Sequence, residues 1–321
     1  MKWRAVVLIL IGAVALPAVA VATEPIAYVT EIQDLGKGTA VVQLATDNTR
    51  VAVRPFTSLR RGDELHITGD TRVVILYHVG SGTRTLTRAD SPFPVVSAPA
   101  PRSHDRLRVL IATAGQIFAN QRLLLPARHL AVRSPDTGSP ALTLVSPRST
   151  RILPGAVIFE WAGDPRARYS IRVTGPRGLT WQAREKTLEP LQYPATAPRL
   201  DAGAEYEWEV SSQGQQSRTG WFRVATADQS QRVEQALQIL KGAASAGYSS
   251  GTVPSLCAAL LIDEGFFADA RRELLAAIDA RPTESAYHVL LADVYRRTGL
   301  DSEAADSTRR ARLLAGVEPA R

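Results

Sequence analysis

Few residues of this chain have the types and spacing that catalysis requires. Its only cysteine, Cys257, lies in the apolar run LCAALLI, where a buried packing role is typical. Acidic residues stand at two expected turns and helix starts: Asp263, Glu264, Asp301 and Glu303. Carboxylates at such places cap helices and offset their dipoles, so these positions predict structural roles rather than a nucleophile or an acid–base pair.

The other polar residues also lack a known reactive arrangement. Five histidines are spread along the chain without the spacing of metal ligands: His66, His78, His104, His129 and His288. The chain contains no H-E-x-x-H or Walker sequence. The sequence therefore predicts a non-enzymatic protein with no metal site and no bound cofactor.

The tripeptide Arg61-Gly62-Asp63 matches a short adhesion signal of animal proteins. It also lies between the runs VRPFTSL and ELHIT, which have the composition of β-strands. A turn there needs a residue that tolerates positive φ and a side chain that caps locally, and Gly62 and Asp63 provide both. We interpret the tripeptide as a turn between strands.

The first 22 residues are typical of a secretory signal peptide. Two basic residues precede an apolar run, Pro17 interrupts the run, and alanines at alternate positions follow it. We expect cleavage after Ala20 or Ala22, a periplasmic or secreted protein, and no integral membrane segment after cleavage. An uncleaved anchor is the alternative, because the apolar stretch is just long enough to cross a bilayer.

The formal charge of +7 is unevenly distributed. Residues 228–321 are slightly acidic, so the positive charge lies in the preceding β-rich part. Such asymmetry suits an anionic partner such as peptidoglycan or another wall polymer, although scattered arginines also follow from a general composition bias. We expect no nucleic-acid partner for an exported protein.

Residues 24–97 predict a compact all-β unit, because short runs rich in Val, Ile, Thr and Tyr alternate with Gly- and Asp-containing turns. The segment VRPFTSLRRGDELHITGDTRVVILYHVGSGTRTLT resembles the FecR-type domain of bacterial envelope proteins. The matching positions are Leu59, Gly62, Asp63, Leu65, Ile67 and Gly69, followed by a strand through Val73, Ile75 and Tyr77. The resemblance implies an envelope protein. It does not imply the family's signalling role, which requires a cytoplasmic part and a membrane span.

Residues 98–140 form a bridging segment that begins with a proline-rich stretch. Within it, apolar residues from Leu107 to Phe118 have the spacing of one helical face, and two strands are the alternative because of the β-branched residues and Gly115.

Residues 141–227 predict a second β domain, with alternating apolar and charged residues in YSIRV and YEWEV. The stretch LDAGAEYEWEV resembles a corner of immunoglobulin-like or fibronectin-type sandwiches, which implies that the hydroxyl of Tyr206 bonds back to the chain. The resemblance also implies that Trp161 lies in the core. A sugar-binding platform is the alternative role for the aromatic residues, and Trp181 and Trp221 are those we expect nearest the surface.

Residues 228–321 predict helices with an internal repeat of 34 residues. Gly265 repeats at Gly299, and two alanines repeat with the same period. The period and the positions of the small residues resemble those of tetratricopeptide (TPR) repeats, each of which forms two helices. Two repeats are few for a stable stack, so we expect a first helix near 228–246 to cap them, or the sandwich or a second copy to cover the open end.

The TPR resemblance implies a binding groove lined by the first helix of each repeat. Matching the register places Ser255, Ala259, Ile262 and Asp263 there from one repeat, and Val289, Asp293, Arg296 and Arg297 from the next. Asp263, Asp293, Arg296 and Arg297 could pair with charges of a peptide. An ordinary solvated face is the alternative for these four residues.

The sequence thus predicts a multidomain protein: a FecR-like all-β domain, an Ig-like β-sandwich and an all-α TPR-like C-terminus. We expect a scaffold or adaptor of the bacterial envelope that binds an envelope protein through its helical groove. The alternatives are a wall- or glycan-binding module that uses the basic β domains, and a membrane-anchored envelope sensor.

Overall fold

The computed structural model describes residues 25–33, 38–77, 83–96, 141–155, 157–242 and 251–316. The expected signal peptide (1–22) and the bridging segment (98–140) lie outside the described residues. Described β-strands end at residue 224 and the described α-helices begin at residue 227. The predicted order, β-structure followed by a helical C-terminus, is confirmed.

The described residues of the first β unit form eight short strands in two four-stranded sheets. The strands are β1 (Ala27–Gln33), β2 (Ala40–Gln43), β3 (Arg50–Ala52), β4 (Ser58–Leu59), β5 (Glu64–Ile67), β6 (Arg72–Tyr77), β7 (Thr83–Leu86) and β8 (Phe93–Pro94). One sheet has the order β4-β1-β6-β7, and the other has β3-β2-β5-β8. Alternate residues of both sheets, among them Val42, Leu65 and Ile75, share one core, because successive strand side chains point to opposite faces.

The turn between β4 and β5 has the structure that its residues predict. Gly62 adopts φ +89°, which a residue with a Cβ rarely does. The buried carboxylate of Asp63 accepts hydrogen bonds from the backbone N–H groups of Arg60, at 2.7 Å, and Ala45, at 3.0 Å. The Arg-Gly-Asp tripeptide is therefore a structural turn whose acidic side chain is already bonded.

The second β unit also consists of two sheets. Its strands are β9 (Thr143–Ser146), β10 (Thr150–Ile152), β11 (Ile158–Ala162), β12 (Tyr169–Thr174), β13 (Thr180–Lys186), β14 (Leu191–Gln192), β15 (Glu205–Ser212) and β16 (Gln215–Val224). The larger sheet has the order β10-β16-β15-β12-β13, and the smaller has β14-β11-β9. All described strand pairs are antiparallel except β10 with β16, which are parallel. Residues from both sheets form one core.

Aromatic side chains fill this core. Trp161 is buried as predicted, and the hydroxyl of Tyr206 accepts a hydrogen bond from the backbone N–H of Asp201 at 2.7 Å, which confirms the predicted bond back to the chain. Trp221 is exposed, as predicted, whereas Trp181 is half-buried and its ring lies 6.2 Å from that of Phe159. Most of the aromatic residues are therefore structural, and Trp221 is the exception.

Five helices complete the described chain: α1 (Ala227–Gly242), α2 (Thr252–Asp263), α3 (Phe267–Ala280), α4 (Ser285–Arg297) and α5 (Asp301–Ala315). Two consecutive helical hairpins, α2 with α3 and α4 with α5, pack against each other, and α1 packs against α2.

The 34-residue period is visible in the backbone of the two hairpin turns. Gly265 and Gly299 have φ of +79° and +71°. In each turn the glycine N–H bonds to the carbonyl three residues earlier, and the next N–H bonds to the carbonyl five residues earlier. This pair of bonds is the Schellman motif, which ends a helix at a glycine and satisfies its last carbonyls.

The second β unit contacts the hairpin turns through one short segment. The backbone N–H of Arg151 bonds to the carbonyl of Gly265 at 3.0 Å, and its guanidinium donates to the carbonyl of Glu264 at 2.8 Å. A Cβ placed on Gly299 would lie 3.1 Å from Nη2 of Arg148, so that guanidinium lies against the second turn. Two arginines of one segment thus face the negative, C-terminal ends of α2 and α4.

The first β unit packs against the same helices from another direction. Phe56 and Leu76 are buried in the helical core cluster rather than in the core of their own unit. The guanidinium of Arg54 donates to the Ser285 hydroxyl at 3.2 Å and to the Ala315 carbonyl at 3.0 Å, and Arg281 donates to the Ile32 carbonyl at 3.2 Å. The helices therefore lie between the two β units. The β units cover apolar surface of the helices that two hairpins alone would leave exposed.

Among the described residues, no helix combines the length and the apolar character needed to cross a bilayer.

Candidate functional site

A buried carboxylate organises two exposed arginines at the end of α4. The side chain of Asp293 is 8% exposed. It accepts from Nε of Arg297 at 2.7 Å and lies 3.4 Å from Nη2 of Arg296. Because one acceptor holds both guanidinium groups, they are presented side by side at the surface of the helix.

The two arginines keep most of their hydrogen-bonding capacity. Their side chains are 40% and 47% exposed, respectively. A guanidinium has five N–H donors in a planar fork, and no hydrogen bond other than those to Asp293 joins either group to the described part of the chain. The remaining donors face solvent, where they can bind a carboxylate in a bidentate manner.

An aromatic ring of the preceding hairpin supports Arg297. The guanidinium carbon lies 5.7 Å from the ring centre of Phe267, which is the first residue of α3. This contact is a cation–π interaction that limits the motion of the arginine. Phe267 was not predicted as a site residue, although the double aromatic GFF directly after the repeated glycine is a signal for it.

Asp263 does not join this cluster. It is exposed as the last residue of α2, and no ion pair within the described ranges connects it with Arg296 or Arg297. The structure therefore brings three of the four predicted charged residues together.

The uncharged residues expected to line a groove are not accessible. Ser255, Ala259, Ile262 and Val289 are all buried. The whole of α2 is buried apart from Pro254 and Asp263, and α4 is similarly enclosed up to its final arginines. Phe56, Leu76 and the neighbouring helices pack into the same cluster as α2, so these four residues give a ligand no access.

Cys257 has the environment of a core residue rather than of a nucleophile. It is fully buried in α2, and burial, together with the negative charge of Glu273, raises the pKa of its thiol to about 12. The reactive thiolate is therefore very scarce at neutral pH. Two of the five histidines, His66 and His288, lie in the described ranges. Within those ranges, no group of three or more potential metal ligands occurs.

An open cleft of about 660 Å³ lies on the first β unit. Its lining residues are Gly69, Asp70, Thr71, Arg72, Thr87, Arg88 and Ala89. Both arginines are exposed, and the buried hydroxyl of Thr71 has no hydrogen-bond partner in the described structure. The two exposed cations suit an anionic ligand.

These features define two surfaces: a paired-arginine site on a helix end, and a cleft with two arginines between the turn that precedes β6 and the segment that follows β7. No protein-family model matches the chain, and neither does any curated protein.

Proposed function

We propose that this chain is a non-enzymatic scaffold or adaptor of the bacterial envelope. Its modules are a FecR-like β domain, an Ig- or fibronectin-like sandwich and TPR-like repeats, exported by the N-terminal signal peptide. The hydrogen-bonded Gly62-Asp63 turn, the bond of the Tyr206 hydroxyl and the two Schellman turns 34 residues apart support the three assignments. A mature N-terminus near Thr23 would support export with cleavage.

The partner binds through the paired arginines rather than through a groove. The observation that carries this proposal is the single buried carboxylate of Asp293 that holds Arg296 and Arg297 together while leaving their donors exposed. Such a fork recognises a carboxylate with directional, charge-assisted hydrogen bonds. The partner chemistry is therefore an acidic segment of an envelope protein, and Asp263 would pair with a basic side chain flanking that segment.

The decisive variant reverses both charges in the full mature chain. We expect R296E/R297E to capture the acidic partner from an envelope extract at least tenfold less than the unaltered protein, because each lost charge-assisted bond costs about 1.5–3 kcal/mol. Quantitative cross-linking followed by mass spectrometry measures the captured amount at low and high salt.

A matched control separates this site from a general charge effect. Arg309 is also an exposed helical arginine that pairs with an aspartate, Asp306, three residues away. R309E should leave capture unchanged. Equal capture by R296E/R297E and the unaltered chain would contradict the proposal. Deleting 228–321 is a poorer test, because the deletion would expose Phe56 and Leu76.

The cleft with Arg72 and Arg88 favours a second candidate function, the binding of an anionic wall polymer such as peptidoglycan. We expect R72E/R88E to lose salt-sensitive sedimentation with purified cell walls, because the variant removes the cations that face the cleft. R50E, which changes an exposed arginine of β3 outside the cleft, is the control. Sedimentation that survives R72E/R88E would exclude the cleft as the wall-binding site.

A further inference from the structure

The outer face of the five-stranded sheet carries three acidic residues in a regular row along β15. Glu205, Glu207 and Glu209 point outward, while Tyr206 and Trp208 between them are buried. The alternation is that of a strand with one face in the core and one in solvent. Each glutamate faces a residue on a neighbouring strand, so the outer surface consists of cross-strand rows.

The first and third rows contain their own cations. Glu205 lies opposite Arg223 of β16, and their charged groups are 2.8 Å apart. Glu209 lies opposite Arg172 of β12, at 3.9 Å. Each of these carboxylates therefore has a positive charge beside it.

The middle row lacks a cation. Glu207 lies opposite Trp221 on one side and Thr174 on the other. No ion pair or hydrogen bond joins its side chain to any residue in the described ranges. Trp221 is 44% exposed, although most other aromatic residues of this unit are buried or half-buried. In the middle row the β16 position, which Arg223 takes in the first row, is thus taken by an exposed indole, and the β12 position, which Arg172 takes in the third row, is taken by Thr174.

These residues border an open cleft of about 390 Å³. Its lining is Thr174, Gly175, Glu205, Tyr206, Glu207 and Trp221. Side chains directly opposite each other on antiparallel strands start about 5 Å apart, so one ligand group can contact both the carboxylate of Glu207 and the face of Trp221.

We propose that this cleft binds the cationic side chain of a lysine or arginine in a segment of a partner protein. The ligand cation pairs with Glu207 and lies over the indole of Trp221, where the ring quadrupole attracts it. The Thr174 hydroxyl accepts a further hydrogen bond from the cation. The uncompensated carboxylate favours a cation over a neutral sugar. This site does not depend on the paired-arginine site, which has the opposite charge and lies on a helix.

Indole N–H signals of the ¹⁵N-labelled full mature chain provide the test. Replacement of the exposed ring in W221F assigns the Trp221 signal among those of the four tryptophans that follow residue 22. The probe is a short peptide of alternating glycine and lysine, compared with the same peptide acetylated on each lysine. We expect the lysine peptide to shift the Trp221 signal in a saturable manner and the acetylated peptide to have no effect.

Two charge-removing variants make the test specific. E207Q should weaken the lysine peptide at least tenfold without changing the folded spectrum. E209Q removes a neighbouring carboxylate that already has Arg172 beside it, and it should leave the affinity within twofold. An unshifted Trp221 signal, equal affinity in E207Q, or a shift caused by a neutral N-acetylglucosamine oligomer but not by the lysine peptide would each overturn the proposal.

Discussion

At the scale of single residues, the two hairpin glycines combine a backbone requirement with a contact. Both have positive φ, and a Cβ would lie 3.3 Å from Arg151 at Gly265 and 3.1 Å from Arg148 at Gly299. Alanine in this conformation costs about 1 kcal/mol from backbone strain alone. A loss of unfolding free energy larger than this therefore measures the contribution of the arginine contacts.

We expect G265A to lower the free energy of unfolding by about 2 kcal/mol, because strain is added and the bond from Arg151 to the Glu264 carbonyl is weakened. G316A is the matched control: Gly316 has φ +69° with no neighbouring atom within 4 Å, so only the strain of about 1 kcal/mol applies. Urea denaturation followed by circular dichroism measures both values. Equal losses would show that the arginine contacts contribute nothing.

At the scale of elements, local patterns predicted a large part of the structure. Turn residues at Gly62-Asp63, the aromatic at Tyr206 and the repeat of Gly265 at Gly299 each determine a short-range hydrogen-bond pattern, and such patterns can be predicted from sequence. The burial of Ser255, Ala259, Ile262 and Val289, which were expected to line a groove, has a physical reason. The core of α2 reads VPSLCAALLI, which is apolar around its whole circumference, and a helix of that kind is buried on all sides.

The charged cluster of α4 was predictable only in part. Residues three and four positions apart on a helix are neighbours, so Asp293 could be expected to contact Arg296 and Arg297. The burial of Asp293 and the contact of Arg297 with Phe267 depend on another hairpin, and no local spacing reveals them. The row of Glu207 and Trp221 likewise requires the strand register, which aligns residues 14 positions apart.

At the scale of the whole molecule, the helices and the first β unit should unfold cooperatively. Phe56 is a residue of the first unit that packs in the helical core, whereas Phe93 packs in the core of its own unit. Loss of a buried phenylalanine ring costs about 3–5 kcal/mol at either site. The location of the lost contacts, rather than their size, therefore distinguishes the two substitutions.

We expect F56A to increase native-state hydrogen exchange in α2 and α4, and F93A to increase it first in β5 and β8. Hydrogen exchange with mass spectrometry measures protection in each element, since local stability follows local packing. Unchanged exchange of α2 and α4 in F56A would show that the first unit does not stabilise the helices.

The segment that carries Arg148 and Arg151 also limits the distance between the two hairpin turns. Arg148 precedes β10 and Arg151 lies within it. Three residues of fully extended chain span at most about 10 Å, and packed helices lie about 8–10 Å apart, so the interval between the two arginines is long enough to reach from one hairpin to the next. Two glycines 34 positions apart are thus contacted by two arginines only three positions apart. An extra repeat inserted between the hairpins would carry the second glycine out of reach of Arg148, whereas a repeat appended after α5 would leave both contacts intact. The middle unit thus restricts where the helical array can grow.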